Sequence, residues 1–348
     1  MLKLIIKLKQ FKGGKMELKI KNIGKIKEGN VKLDGITVIS GKGDTGKTTV
    51  LKVLSTVLDV LNFSDDSVNF SCEQNKIENN EEIIQKDVQA RFENNFSKMI
   101  NNIFSNDKGM TEIIVEDETE KPKTLKISIN ENFTKIEEND LKIKIENIFI
   151  DNPADLKNTN VDNLLEKNAG YNEKKIDYKK FKRLNEVVNG TFELLSPIEY
   201  ELGEYGYKIP DKKENESDTK RIIPLKNLSH SLKKLAFLKM IMEKQLLKEN
   251  DILIIDNAED GLHPEMQLIL GETVVLMQKE FGIKVILAIQ SPFLLDSIEV
   301  FSEKYDIEDK MHYYLVEDGN IKNVDGETRQ IYKEIVKPIH ELENIKYE

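Results

Sequence analysis

The chain is poor in the residues that usually staple, ligate or anchor a protein. Of its 348 residues one is cysteine, Cys72, four are histidine and none is tryptophan. A lone cysteine excludes an intrachain disulfide framework and fits a reducing compartment, so a cytoplasmic setting is expected. The histidines, His230, His263, His312 and His340, stand at no metal-ligand spacing with one another or with Cys72. No apolar run approaches the roughly 20 residues of a membrane-spanning helix, so no membrane partner is expected. Positive charge is in deficit: 52 Lys and Arg face 62 Asp and Glu, a net charge of −10 and a pI near 5.3. That balance argues against coating nucleic acid non-specifically and leaves room for a local basic patch.

What is present is 39% hydrophobic and 33% charged residues, enough for a sizeable core under a heavily charged surface. The length allows one large domain or two small ones, and no internal repeat divides it. The expected organisation is one domain over 1–348, with an inserted region over 62–226 and a basic N-terminal extension over 1–15. The extension, MLKLIIKLKQFKGGK, has a short, lysine-interrupted apolar stretch without a clear cleavage site, so it does not read as a signal peptide. Two readings stay open for it: an extra strand, or a lead-in to a start at Met16.

Leu18, Ile20 and Ile23 suggest one strand, Val31 and Leu33 a second, and Ile36–Ser40 a short apolar third that runs into a glycine-rich turn. Val50, Leu51, Leu54, Val57, Leu58 and Leu61 recur at helical spacing and predict a helix from Lys47 to about Leu61. Asn62–Asn80 is polar and reads as a loop. Beyond it the pattern predicts helices over Glu81–Phe104 and Lys174–Val188, and strands at Thr111–Val115, Thr124–Ile129 and Leu141–Ile150. Tyr200–Thr219 is charged and reads as mostly turn-like around Pro210–Ser217. The last third predicts a helix over Leu232–Leu247, a buried strand at Asp251–Ile255, a proline-led helix over Pro264–Phe281, a buried strand at Lys284–Ile289 and a short helix over Pro292–Ser297. A strand at His312–Val316, a hairpin at Asp318–Gly319 and a helix from Thr328 follow. Strands separated by helices of about 15 residues indicate a parallel sheet with right-handed crossovers.

Gly41-Lys42-Gly43-Asp44-Thr45-Gly46-Lys47-Thr48 has the spacing of a Walker A loop. Glycines let the backbone wrap a phosphate with its N–H groups inward. The helix that follows, opened by Lys47, Thr48 and Thr49, aims its N-terminal dipole at the anion. Lys47 suits β- and γ-phosphates and Thr48 suits Mg²⁺, so the loop predicts ATP with Mg²⁺. Ile252–Ile255 followed by Asp256 reads as a Walker B strand, with Asp256 emerging beside the metal.

The run Asp256-Asn257-Ala258-Glu259-Asp260-Gly261-Leu262-His263-Pro264, followed by Ala288-Ile289-Gln290-Ser291-Pro292, resembles ABC-type ATPases of the SMC, RecF and OLD (overcoming lysogenization defect) kind. Those proteins typically read Asp-Glu-Pro-Glu, then Leu-His-Pro, then a strand ending Thr-His-Ser-Pro. Met16–Leu33 and Leu228–Leu247 also look like the segments that precede these motifs, and the resemblance covers about half the chain, at both ends. It implies an α/β P-loop NTPase fold: a mostly parallel sheet, N-terminal antiparallel strands and an inserted helical and β region. It implies an ATPase head that forms a homodimer, head to head, around two ATP molecules. Each head would present a signature loop, here Asn227-Leu228-Ser229-His230-Ser231, to the other's γ-phosphate. The family usually has Ser-Gly where this chain has His230-Ser231, so Ser229 or Ser231 is the candidate contact.

Two departures touch the chemistry. The family's catalytic glutamate position holds Asn257, and its switch histidine position holds Gln290. An amide orients water but cannot act as a carboxylate base. Glu259 matches a second acidic position of the family, so Asn257, Glu259 and Gln290 are the candidate catalytic residues. The expected behaviour is nucleotide binding through an intact loop with slow or partner-dependent hydrolysis, in a head that acts with a partner in a nucleic-acid-related or phage-defence complex; an ATP-sensing switch that scarcely hydrolyses and regulates an effector is the alternative, and a transporter ATPase the weakest reading.

Lys174, Lys175, Lys179, Lys180, Lys182 and Arg183 surround Tyr178 and Phe181. They are either a nucleic-acid patch or the solvated face of a helix whose aromatics turn inward. His263 falls where the family faces its partner head; His230 is undecided, and His312 and His340 carry no signal. The stretch after Ser297 is too short for the nuclease fused to OLD-type heads, so a nuclease or other effector is expected as a separate chain. No sustained heptads mark an SMC coiled coil.

Overall fold

The computed structural model describes residues 16–71, 90–92, 111–117, 123–129, 134–139, 145–150, 182–184, 186–187, 197–201, 204–209, 221–224, 227 and 229–347. Its first three strands are β1 (Met16–Ile23), β2 (Ile26–Lys32) and β3 (Ile36–Ser40). Helix α1 (Lys47–Ser71) follows the phosphate loop. The 62–226 region supplies β4 (Thr111–Asp117), β5 (Lys123–Ile129), β6 (Thr134–Asn139), β7 (Asn147–Ile150), β8 (Pro197–Glu201), β9 (Glu204–Ile209) and β10 (Arg221–Pro224). Then come α2 (His230–Glu243), β11 (Ile252–Ile255), α3 (Pro264–Phe281), β12 (Lys284–Ile289), α4 (Pro292–Lys304), β13 (Met311–Glu317), β14 (Asn320–Asn323) and α5 (Arg329–Tyr347). No helix among the described residues is long and apolar enough to cross a membrane.

One sheet of eleven strands runs β6-β5-β4-β1-β2-β14-β13-β3-β12-β11-β7. Its β13-β3-β12-β11-β7 portion is parallel throughout, as expected for strands joined through helices. The β6-β5-β4-β1-β2 portion is antiparallel. The parallel strands are apolar without interruption because both faces are covered. Leu253 and Ile255 of β11 and Val285, Leu287 and Ile289 of β12 join one core with α2, α3 and α4. Their neighbours Ile252, Ile254, Ile286 and Ala288 join the opposite core with α1 and the N-terminal strands. The hairpin at Asp318–Gly319 forms as expected: φ of 50° and 82° at the two tip residues suits a two-residue turn, and Glu317 pairs with Asn320.

Some expectations are revised. Helix α1 runs ten residues past Leu61, through residues read as loop, because no glycine or proline interrupts it. Asn62 acts there as a clamp: its Nδ2 donates to the Ile145 carbonyl at 2.6 Å and its Oδ1 accepts the Ile145 N–H at 3.0 Å. Ser55 and Asp59, two turns and one turn earlier, hold the two ends of the buried Asn147 amide. Helix α2 stops at Glu243, because Gln245 takes a left-handed φ of 50° and Leu246 bonds back to the Ile241 carbonyl. β8, β9 and β10 form a separate three-stranded sheet, and the turns expected around Pro210–Ser217 lie outside the described residues. Of the helix expected over Glu81–Phe104, residues 90–92 are helical and Phe92 is buried; the remainder lies outside the described residues. Of the lysine-rich helix, Leu184 is buried in the core, and Arg183 pairs with Glu280 of α3 and lies over the Tyr305 ring. Lys182 pairs with Glu186, and the other lysines of that cluster lie outside the described residues.

His312, without signal in the sequence, is buried between two acids. Its Nε2 is 3.3 Å from Asp34 and its Nδ1 is 3.3 Å from Asp325. Burial, the largest single influence, pushes the imidazole pKa down, but hydrogen bonds and charge attraction from both carboxylates outweigh it and hold the value above the usual 6.5. Against the same opposition from burial, Asp34 and Asp325 are held below the usual 3.8. The imidazolium contribution is therefore complete below about pH 6.5 and lost as pH rises through the higher folded value; the carboxylate contribution appears above about pH 3.8 and is lost as pH falls through the lower folded values. His312→Gln is expected to lower stability by about 2 kcal/mol in mildly acidic buffer, with a smaller difference in alkaline buffer. Urea unfolding across pH measures it; a pH-independent difference contradicts the charged triad.

Candidate nucleotide site

The parallel strands end together, and the loops that leave those ends build the site. β3 ends at Ser40, beside Ile289 of β12 and Leu315 of β13. The loop that follows needs its glycines. Gly46 has φ of 106°, and a Cβ there would lie 2.8 Å from Ile26 Cδ1. A Cβ on Gly41 would lie 2.5 Å from the Val316 carbonyl. Asp44 takes a left-handed φ of 62° and pairs with Lys25. Thr45 Oγ1 donates to the Lys42 carbonyl at 3.0 Å, and the Lys42 ammonium reaches Glu334 of α5 at 3.4 Å. Thr48 and Thr49 are half-buried in the first turn of α1.

Lys47 is buried with its Nζ folded over the loop, donating to the carbonyls of Gly41 at 2.8 Å and Lys42 at 2.6 Å. Burial lowers its pKa; the Glu259 carboxylate opposes this most, and Asp256 next. Asp256 is buried at the end of β11, and its Oδ1 accepts the Asn257 N–H at 3.0 Å. Asn257 takes a left-handed φ of 43°, which turns the chain off the strand. Gln290, at the end of β12, joins the two neighbours. Its Nε2 donates to Asn257 Oδ1 at 3.4 Å, and its backbone N–H donates to Glu259 Oε1 at 2.7 Å. Gln290 Oε1 also lies 4.0 Å from where a Gly43 Cβ would sit, which places it over the phosphate loop. Burial raises the Glu259 pKa, against backbone hydrogen bonds and the charges of Lys234 and Lys47.

Two structural members of the site were not singled out in the sequence. Lys234 of α2 is buried, and its Nζ donates to the carbonyls of Asn257 at 3.2 Å, Ala258 at 2.7 Å and Asp260 at 3.2 Å. Burial lowers its pKa to about 8, opposed by Asp260, Glu259 and Asp256. Gln267 of α3 donates to the Leu262 carbonyl at 3.0 Å and accepts from Ser291 Oγ, which bolts the Asn257–His263 loop to the Gln290–Ser291 loop. A buried lysine in a Leu-Lys-Lys-Leu helix and a glutamine in the first turn of another leave no local signal. Only the partner carbonyls, brought by the sheet, reveal them.

The signature residues lie at the start of α2. Ser229 is exposed, and its carbonyl accepts the Lys233 N–H at 2.9 Å. The side chains of His230 and Ser231 lie outside what the structure describes. His263 is exposed and caps α3, its Nδ1 accepting the Glu265 N–H at 3.4 Å.

The donor set suits a nucleotide-bound Mg²⁺ rather than a metal held by protein alone. Among the described residues no group of three or more His, Cys, Asp or Glu side chains is placed to hold a metal ion. A buried carboxylate, Asp256, whose charge acts on Lys47 in the first turn of α1, is what Mg²⁺ uses when phosphates and waters supply its other ligands. The glycine cradle and the buried ammonium fit the phosphates.

The family described as "AAA domain, putative AbiEii toxin, Type IV TA system" matches residues 36–296, from β3 through the start of α4. No curated protein matches the chain. Among solved structures it is similar to the SMC head domain from Thermotoga maritima, at 11% identity over 90% of this chain and 99% of that one, with a TM-score of 0.44. It is similar to an Smc head domain with an extended coiled coil, bound to a ScpA C-terminal domain derived from Pyrococcus furiosus, at 10% identity over 93% and 99%, TM-score 0.47. It is also similar to the ADP conformation of an ATP-binding cassette of an ABC transporter, at 11% identity over 94% and 96%, TM-score 0.41.

Proposed function

The chain belongs to this AAA-domain family of ATPase type, and from that premise we propose that it binds Mg-ATP at Gly41–Thr49, hydrolyses it slowly, and pairs head to head with a second copy to drive a separate effector chain. The observation that carries the reading is the buried Lys47 ammonium, held in the phosphate loop opposite the carboxylates of Asp256 and Glu259 at the strand ends. A phosphate competes well for that ammonium, because two neutral carbonyls now occupy it and a phosphate oxygen brings an opposite charge to the same bond. The loop N–H groups and the α1 dipole add to the same attraction. Thr48 and Asp256 would hold Mg²⁺, which supplies charge neutralisation at the transferring phosphate.

Asn257 and Gln290, bonded side chain to side chain, form an amide pair suited to orienting water. An amide takes no proton, which supports a low turnover. The same observation favours the second reading, a switch whose ATP occupancy, rather than hydrolysis, regulates the effector. The exposed Ser229 and His263 support pairing of heads, since the resemblance puts the Ser229 segment against the opposing nucleotide and the His263 segment against the partner head. The family description names a "putative AbiEii toxin, Type IV TA system", which supports a role in a defence complex.

Phosphate release, measured with and without DNA, tests hydrolysis, and sedimentation with and without Mg-ATP tests pairing. The wild type is expected to turn over slowly and to double in mass with Mg-ATP. Asn257→Glu is expected to raise kcat about tenfold by restoring a carboxylate at that position. A wild type that binds Mg-ATP yet releases no phosphate above a Lys47→Ala background defeats the hydrolytic reading and leaves the switch. A mass unchanged by Mg-ATP defeats head pairing.

A further inference from the structure

Resting on the hydrolytic reading of this site, we propose that Glu259 is the proton acceptor for the attacking water, in place of the carboxylate that Asn257 lacks. The chemistry needs a base, and the amides of Asn257 and Gln290 cannot be one. Two carboxylates act on the Lys47 ammonium. Asp256 binds the Asn257 N–H through Oδ1 and is the residue suited to the metal. Glu259, three residues on in the same loop, is the carboxylate left for the water. Its Oε1 accepts the Gln290 N–H at 2.7 Å, while its Oε2 is buried with no hydrogen-bond partner among the described residues. A buried carboxylate oxygen without a donor is costly in a folded protein and marks a site where something else is to be bound.

Its direction is also set. Of the two carboxylates, Glu259 attracts the phosphate-loop lysine more strongly than Asp256 does. It is bonded to the residue whose side chain lies over Gly43. The loop that carries it leaves β11 through the left-handed Asn257 and turns again at Gly261, φ 70°. Three Lys234 bonds to the carbonyls of residues 257, 258 and 260 hold that loop in place. Burial makes the carboxylate a stronger proton acceptor than an exposed one.

In the step proposed, the water oxygen forms a bond to the γ-phosphorus as one water proton passes to the Glu259 carboxylate. The bond from the γ-phosphorus to the β,γ-bridging oxygen breaks, and its electron pair leaves on ADP. The products are ADP and inorganic phosphate, and Glu259 then returns its proton to solvent.

Glu259→Gln separates this role from a structural latch, because the amide oxygen still accepts the Gln290 N–H while no proton can be taken. The variant is expected to lose about 100-fold in kcat with its Mg-ATP Kd within about threefold of wild type. The wild type is expected to lose kcat as pH falls through the raised carboxylate pKa, and the variant to lack that acid limb. Glu259→Asp, which shortens but keeps the carboxylate, is expected to keep the limb at a lower rate. A Glu259→Gln enzyme within threefold of wild-type kcat overturns the proposal. So does a slower enzyme with an unchanged acid limb, which is what a latch would give. If the wild type itself releases no phosphate, the hydrolytic reading fails and this proposal with it, an outcome distinct from a wild type that turns over without needing Glu259.

Discussion

Lys47→Ala is expected to weaken Mg-ATP binding by about 100- to 1,000-fold, the largest single effect in the molecule. A charged hydrogen bond contributes about 1.5–3 kcal/mol. An ammonium shared between two phosphates makes two of them, and each 1.4 kcal/mol is about tenfold in Kd. The fold has little to lose in exchange. Lys47 is buried at a cost that its pKa records, and its only hydrogen bonds described here go to two carbonyls of its own loop. Calorimetric titration with Mg-ATP, beside a thermal melt to show that the variant folds, measures this. Binding within threefold of wild type would mean that Gly41–Thr48 is not the nucleotide cradle.

Lys234→Met is expected to destabilise the fold by about 3 kcal/mol and to slow turnover about tenfold while sparing Mg-ATP affinity. Methionine matches lysine in length and fills the same space, so no large cavity is created. What is lost is the donor. The carbonyls of Asn257, Ala258 and Asp260 share one buried ammonium, and a buried acceptor left unbonded costs about 1–3 kcal/mol. The loop they belong to carries Asn257 and Glu259, so catalysis should suffer with it. The phosphate loop carries no contact to Lys234 among those described, so binding should not. Urea unfolding reads the first effect as a lower midpoint at unchanged slope. An unmoved midpoint would mean that burial of the charge costs as much as its three bonds return, a result buried ion sites do give.

Much of this molecule was legible residue by residue. The spans of α3 and β12 match the hydrophobic pattern, and the Asp318–Gly319 hairpin follows from its turn chemistry. Capping proline, uninterrupted apolar runs and left-handed turn residues act over a few neighbours, so their signals survive in one dimension. Where the reading missed, partners were far off. His312 looked idle because Asp34 lies far upstream in sequence, and its ion pair is made by β3 and β13 becoming neighbours. Lys234 gave no signal because its acceptors lie 23 to 26 residues on. Asn62 looked like loop because the backbone it clamps at Ile145 is 83 residues away.

The phosphate loop is the part of the site that the sequence determined by itself. Eight consecutive residues hold its glycines, its lysine and its threonine, and the strand and helix flanking it are local as well. The surroundings of that loop were decided by tertiary structure. Parallel pairing of β3, β12 and β11 brings Gly43, Gln290 and Glu259 to one end of the sheet, where the Glu259 carboxylate acts on the charge of Lys47. The sequence could name Asn257, Glu259 and Gln290 as candidates. Only burial and strand order distinguish them, because an amide bonded to an amide and a carboxylate oxygen buried beside an ammonium are properties of neighbours, not of residues.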